Sequence, residues 1–344
     1  MEKIKLSDFQ IIPIMSSARR EDISDQTYFS KPYTRYISNS RLGYINPDQG
    51  GSAYKYYNPP HFTTSSLALG SAVHELILQP ESFTLGPKCS KPTAKLGEVI
   101  DKVKKYRKKG YTIYDSILNA SKDCNYYMGS IDTKISKIIR EGFPYYWASK
   151  DFDDSIVTIN DKDWEACVKC VENVNNNLAI QNALHPTNLF AEYIPSYNED
   201  ALFLDVLVTY KGKYTILKLK MKADNWTIDE ENKVLTLNDL KTTSKPVRWF
   251  MNREYGSFYH YHYYRQFALY IYMLAAYCQK EYGYNHHWKL QGNVLVVNTL
   301  NYETACYRIT NEHLKEGKAE YEKLLKMVAY YELFGYKNDV EFSE

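Results

Sequence analysis

The chain has 344 residues, with 43 Lys and Arg against 41 Asp and Glu, and 44% of its residues are apolar. Normal apolar content with a net charge of only +2 excludes disorder as the main state. The longest apolar stretch, Phe267 to Cys278, is well short of the ~18–20 residues that a bilayer-crossing helix needs. The start, MEKIKLSDFQ, has no apolar export segment behind a basic end, so the expectation is a cytoplasmic protein with no membrane partner and no need to pair its six cysteines. Cys167 and Cys170 form a CxxC, but no second pair stands at a spacing that would complete a zinc or iron-sulfur site.

In chain order, a short N-terminal arm leads to a Ser-, Asn-, Gly- and Pro-rich stretch from about 37 to 60 that reads as turns. TSSLALGSAVHELILQP then predicts a helix over about 64–80, opened by Ser/Thr caps, stopped by Pro80, and carrying His74. Residues 98–142 read as helical and polar, and six of the eight positions 102–109 (KVKKYRKK) are basic. Another helix is predicted over 161–177. Between about 190 and 245 the period changes to two: FAEYIPSY and ALFLDVLVTY predict strands. YTILKLKMKAD alternates almost perfectly, NWTIDEENK reads as the turn after it, and KVLTLNDLKTT as the returning strand. An aromatic-rich helix is predicted over 258–280, strands over 292–298 and 303–309, and a closing amphipathic helix over 311–334. Helices before and after a short mixed sheet give an α/β class.

The residues that carry chemistry cluster in the strand region. Asp239 and Lys241 stand two apart and leave one face of their strand, and a hairpin would bring Asp224 beside them. Two carboxylates and a lysine at one place on a sheet suit metal-dependent phosphodiester hydrolysis: the acids hold a hard divalent cation, and the lysine orients or deprotonates water. A solvated, charged hairpin face is the plainer alternative. Gln266 and Tyr270, four apart, share a face of the following helix. His74 offers a nitrogen ligand or a phosphate contact, or is a hydrogen-bonded core histidine.

In order and company these residues resemble the PD-(D/E)XK nucleases of the RecB-like and lambda-exonuclease-like branch. That family carries a helical His, an Asp, a (D/E)xK and a QxxxY motif, here matched by His74, Asp224, Asp239-Leu240-Lys241 and Gln266 to Tyr270. The pattern is most similar to the RecE-type (exodeoxyribonuclease VIII) phage exonuclease domain, through ISNSRL, LGSAVHELILQPESF, KMKAD and DLKTT. KMKAD departs from the family's KxRPD in having Ala223 for Pro and Lys222 for Arg, which leaves the metal ligands in place. The resemblance implies a restriction-endonuclease-like core, with a central mixed β-sheet flanked by helices and a largely helical N-terminal part. The expected division is an arm over 1–60 and a nuclease domain over 61–344, its catalytic core at about 190–300.

The implied roles follow residue by residue. Asp224 and Asp239, with the main-chain carbonyl of Leu240, would hold Mg²⁺ or Mn²⁺. Lys241 would position water, His74 would serve a second metal or phosphate, and Gln266 with Tyr270 would hold the site in register. Glu192, in FAEYIPSY, matches an acidic position of the family, as a metal ligand or as an ordinary strand residue. Nine basic against five acidic residues between Thr209 and Arg248 suggest a local phosphate track, with Lys220, Lys222, Thr242, Lys245, Arg248 and Arg265 as the candidate DNA contacts. The implied function is a DNA exonuclease acting 5′ to 3′ on linear duplex with a free end, in phage-type recombination or repair. Its expected partners are a single-strand annealing protein and further copies of the chain. A structure-specific or single-strand endonuclease of the same fold, or a non-catalytic DNA-binding protein, are the alternatives.

Overall fold

A computed structural model describes residues 2–45, 51–57, 65–80, 91–126, 130–149, 161–188, 190–283, 288–336 and 340–344. Cys89, Thr64 and parts of the predicted turn-rich stretch over 37–60 lie outside them. The chain divides into two compact units, one made of Met1–His61 with Glu172–Glu344 and the other of Phe62–Val171.

The N-terminal arm is more ordered than its sequence suggests. It forms strands β1 (Glu2–Lys5), β2 (Phe9–Pro13) and β3 (Arg19–Glu21), then helical turns α1 (Asp25–Tyr28), α2 (Lys31–Thr34), α3 (Asn39–Leu42) and α4 (Ser52–Lys55). Phe9 is 4% exposed, so the short alternating run FQIIP has a buried face, and it ends in a proline that suits an edge strand.

The unit Phe62–Val171 is helical. It holds α5 (Ser65–Leu78), α6 (Ala94–Lys108), α7 (Ile113–Asp123), α8 (Ile131–Ser149) and the first part of α9 (Asp161–Asn176). Helix α6 has two faces because its apolar residues recur at helical spacing: Val99, Ile100 and Val103 pack with Ile117, Ile138 and Phe143. Most of the basic run is solvated, but Lys104 is buried, its ammonium 4.7 Å from the centre of the Tyr145 ring.

The other unit contains the sheet. After α10 (Leu178–Leu184), capped by Asn177, come β4 (Ser196–Tyr210), β5 (Lys213–Asp229) and β6 (Val234–Thr243). Next are α11 (Ser257–His260), α12 (Tyr263–Tyr282), β7 (Lys289–Asn298), β8 (Thr304–Arg308), α13 (Asn311–Phe334) and β9 (Val340–Ser343). Seven strands form one mixed sheet in the order β2-β4-β5-β6-β7-β8, with β3 also on β4, while β1 and β9 pair separately. Among the described residues, β6 and β7 are the one parallel strand pair of the large sheet, because α12 carries the chain from one to the other. The protein is thus mixed α/β, with a central mixed sheet and flanking helices, as expected.

Two local expectations change. NWTIDEENK is not all turn: Asn225–Asp229 continue β5, because Trp226 and Ile228 extend its buried alternation at 0% and 1% exposure. The turn itself is tied by Asp229, which accepts from the Asn232 backbone N–H at 2.9 Å. The aromatic helix over 258–280 is two helices, broken where His262 adopts φ +54°. At that break α13 comes very close: a Cβ on Gly317 would sit 2.2 Å from the Tyr264 carbonyl oxygen, so only glycine fits. Among the described residues no helix is long and apolar enough to cross a membrane.

Candidate metal centre

The site begins with a change in strand pairing. The β5–β6 ladder runs from Asp229↔Val234 to Asn225↔Asn238 and stops there, just before Asp224 and Asp239. On the other side the β4–β5 ladder steps from Asn198↔Asn225 to Asp200↔Ala223, passing over Glu199 and Asp224. Glu199 has φ +52°, a left-handed conformation that costs a non-glycine residue about 1–3 kcal/mol. Carboxylate oxygens of Glu199 and Asp224 lie within 4.8 Å of each other. Glu199 is also paired with Lys222 at 2.7 Å, and Asp224 Oδ2 accepts from the Leu240 backbone N–H at 2.8 Å.

Asp239 stands on the next strand at 2% exposure. Its Oδ1 accepts from Gln266 Nε2 at 2.9 Å, which ties β6 to α12. Its Oδ2 is 2.5 Å from Lys241 Nζ, an ion pair at charge-assisted hydrogen-bond distance. The same ammonium lies 5.0 Å from the centre of the Tyr263 ring. Burial is the largest influence on Lys241 and alone would lower its pKa, but Asp239 and then Asp224 and Tyr263 outweigh it and raise the pKa above the ordinary lysine value. Tyr270, one turn beyond Gln266, packs against the core, and burial holds its hydroxyl well above the ordinary tyrosine range.

Several sequence-based assignments lie elsewhere. FAEYIPSY is not a strand until its end: Glu192 sits in an exposed turn, accepting from Asn188 Nδ2 at 3.0 Å. The acid beside Asp224 is Glu199, seven residues later, whose only sequence signal is its place in an extended run. Lys220 is turned inward as well, at 6% exposure, donating to the Tyr28 carbonyl at 2.8 Å. Arg265, at 5% exposure, is held by Glu320 at 2.9 Å and Asn39 Oδ1 at 2.9 Å, so it braces the helices instead of facing solvent. Thr242 and Lys222 are half-buried, whereas Lys245 and Arg248 are exposed on the loop after β6. The Leu240 backbone N–H donates to Asp224. His74 stands on α5, in the helical unit. Cys167 and Cys170 are buried, and burial pushes their thiols up to about 12 and about 11, away from the thiolate a metal needs.

A feature with no sequence signature backs the acids. Asn198, Asn225, Asn238 and Asn293 stand directly opposite one another across β4, β5, β6 and β7. Asn225 Nδ2 donates to Asn198 Oδ1 at 2.7 Å, Asn238 Nδ2 to Asn225 Oδ1 at 2.7 Å, and Asn293 Nδ2 to Asn238 Oδ1 at 2.8 Å. Each of the first three neighbours a site acid in sequence, and alternation turns it to the opposite face of the sheet.

Glu199 and Asp224, whose carboxylates lie within 4.8 Å of each other, offer only oxygen, which suits a hard divalent cation. Asp239 Oδ2 already faces the Lys241 ammonium at 2.5 Å, so a metal ion at Asp239 would share this carboxylate with Lys241.

No family model matches the chain, and no curated protein matches it in sequence. Among solved structures, a protein from Eubacterium rectale described provisionally as an exonuclease is similar at 10% identity and a TM-score of 0.44, over 89% of this chain and 86% of that one. A second, named SSO0001, gives 10% identity and a TM-score of 0.24 over 77% of this chain and 87% of that one.

Proposed function

We propose that the chain is a metal-dependent deoxyribonuclease, and more narrowly an exonuclease of linear duplex DNA. The observation that carries this reading is that Asp224, whose carboxylate lies within 4.8 Å of that of Glu199, accepts from the backbone N–H of Leu240, the residue between the ion-paired Asp239 and Lys241, where β5 and β6 separate. Mg²⁺ or Mn²⁺ held by Asp224, Asp239 and Glu199 would supply charge stabilisation to the phosphorane-like transition state. Lys241, an ammonium beside Asp239, donates a hydrogen bond to the attacking water and faces the developing negative charge. Gln266 keeps Asp239 from rotating, and Tyr270 packs one turn farther along the same helix. His74 enters the proposal through the order of motifs.

The polarity, 5′ to 3′ with 3′ single strands left for an annealing partner, and the place in phage-type recombination or repair rest on the RecE-type resemblance. So does assembly into a homo-oligomer. The test is digestion of end-labelled linear duplex and of closed circles with Mg²⁺, with EDTA, and with the Lys241→Ala and His74→Ala variants. Release of 5′ label from linear DNA by the wild type, with circles spared and no release by Lys241→Ala, is the expected result. Internal cutting of circles would replace the exonuclease by an endonuclease. Binding without any cleavage would leave a DNA-binding protein.

A further inference from the structure

The loop that follows Lys241, residues 244–256, is held at both ends and along its length. The Lys245 carbonyl accepts from Asn298 Nδ2 at 2.8 Å, and the Val247 carbonyl from the Tyr307 hydroxyl at 2.8 Å. Phe250, 2% exposed, stacks on Tyr263 with ring centres 6.0 Å apart and planes 9° apart. Asn252 Oδ1 accepts from the backbone N–H groups of Glu254 and Tyr255 at 2.9 and 3.1 Å. The turn closes on Gly256, where a Cβ would lie 2.4–2.5 Å from the carbonyl oxygens of Trp249, Phe250 and Asn252.

This fixed loop presents aromatic rings to solvent. Trp249 is 41% exposed and Tyr255 47% exposed, and the two rings meet edge to face at 5.7 Å. Tyr261, 57% exposed, lies 5.8 Å from Tyr263, the ring beneath the Lys241 ammonium. Single exposed aromatics are ordinary, but here two meet on a loop that Phe250 anchors on Tyr263, and a third touches that same Tyr263 ring beside Lys241. The exposed cations Lys245 and Arg248 flank them, with the Arg248 guanidinium 5.6 Å from the Trp249 ring centre. Of the other charges on the loop, Arg253 is committed to Glu312 and Glu316, and Glu254 is the one acid.

Exposed rings interleaved with cations are the chemistry that holds unpaired nucleic-acid strands: the cations follow phosphates while bases stack on the rings. We propose that Trp249, Tyr255 and Tyr261 form a stacking platform for unpaired DNA bases next to the phosphate that reaches Lys241. The proposal rests on the nuclease reading and adds a base-binding site to it. Duplex ends are opened there, and the bases of one strand are received by the rings while the backbone passes Lys245 and Arg248.

The test uses the full chain in EDTA, where no cleavage occurs, and the anisotropy of two labelled probes: a short oligothymidylate and an abasic oligomer of equal length. The wild type is expected to bind oligothymidylate more tightly by about tenfold for each stacked base. Trp249→Ala with Tyr255→Ala removes most of that difference, leaving what Tyr261 alone supplies, and leaves abasic binding unchanged. Lys245→Ala with Arg248→Ala weakens both probes together and lowers the salt dependence. Equal affinity of the wild type for the two probes overturns the platform whatever the variants do, as does an unaltered preference in the folded aromatic double variant. Digestion by the wild type in Mg²⁺ is scored separately, so cleavage without base preference sinks the platform alone. Base preference without cleavage sinks only the nuclease reading.

Discussion

Gln266 reaches from α12 to the strand beneath it and donates its side-chain amide to Asp239 Oδ1 at 2.9 Å. The carboxylate is thereby fixed at one oxygen by a neutral donor and at the other by Lys241, 2.5 Å away. Gln266→Leu frees the carboxylate to rotate without changing the helix. The expected result is a loss of metal affinity or rate on the order of 10–100-fold. It is measured as a shift in the Mn²⁺ concentration that half-saturates cleavage, with the melting temperature as control; an unshifted curve would remove Gln266 from the site.

Glu199 and Glu192 give opposite expectations. Glu199→Gln removes a carboxylate within 4.8 Å of Asp224 and should weaken the metal response about tenfold or more. Glu192→Gln alters an exposed turn bonded to Asn188 and should leave the response unchanged. Calorimetric Mn²⁺ titration of both variants decides between the two acids, and a larger effect at position 192 would reverse their roles.

Metal and fold are linked through Asp239. In Lys241→Met the carboxylate stays 2% exposed but loses its cation, a loss expected to cost about 3–5 kcal/mol in the absence of divalent ions. Adding Mn²⁺ should recover part of it, since a ligand at about 100 times its Kd stabilises by about 2.7 kcal/mol. Thermal unfolding with EDTA and with Mn²⁺ checks this. Equal melting temperatures in the two conditions, for wild type and variant alike, would argue against any metal at these acids.

The asparagine row should matter to stability beyond any one contact. Asn238 donates to the Ala183 carbonyl and to Asn225, both at 2.7 Å, and accepts from Asn293. Asn238→Ala leaves those buried groups without a partner and is expected to cost about 1–3 kcal/mol. Urea unfolding gives the value directly. A change within experimental scatter would mean that water replaces the amide.

Lys220 makes stability depend on pH. Burial first, and Arg41 second, lower its pKa from 10.5 to about 8 in the folded chain. Between about pH 8 and about pH 10.5 the unfolded chain therefore binds more protons than the folded one, and stability from this group rises with pH across that window. Below about pH 8 both states hold the proton, and this contribution is flat at its lowest value. Lys220→Met should remove this contribution, seen as a difference between wild-type and variant urea midpoints that changes across the window and is constant below about pH 8.

Local periodicity carried the elements and the within-element pairings of the candidate site. The two-residue spacing of Asp239 and Lys241 puts both on one strand face, and the four-residue spacing of Gln266 and Tyr270 puts both on one helix face, so each pair could be read without knowing what lay opposite. The closing helix was legible for the same reason, down to its bounds at Asn311–Phe334. The identity of the acid next to Asp224 was not, because it depends on how β4 slides along β5, and two glutamates stood within that range. Register across strands also aligned four asparagines scattered between positions 198 and 293. Burial of Lys220 and Arg265 was hidden too: the alternation of β5 gives Lys220 a polar face, and only the chain folding Tyr28 over that face closes it from water. What lies close along the chain was set by the sequence itself; what meets across strands was decided by pairing and packing, where interactions between distant residues choose one register among several compatible ones.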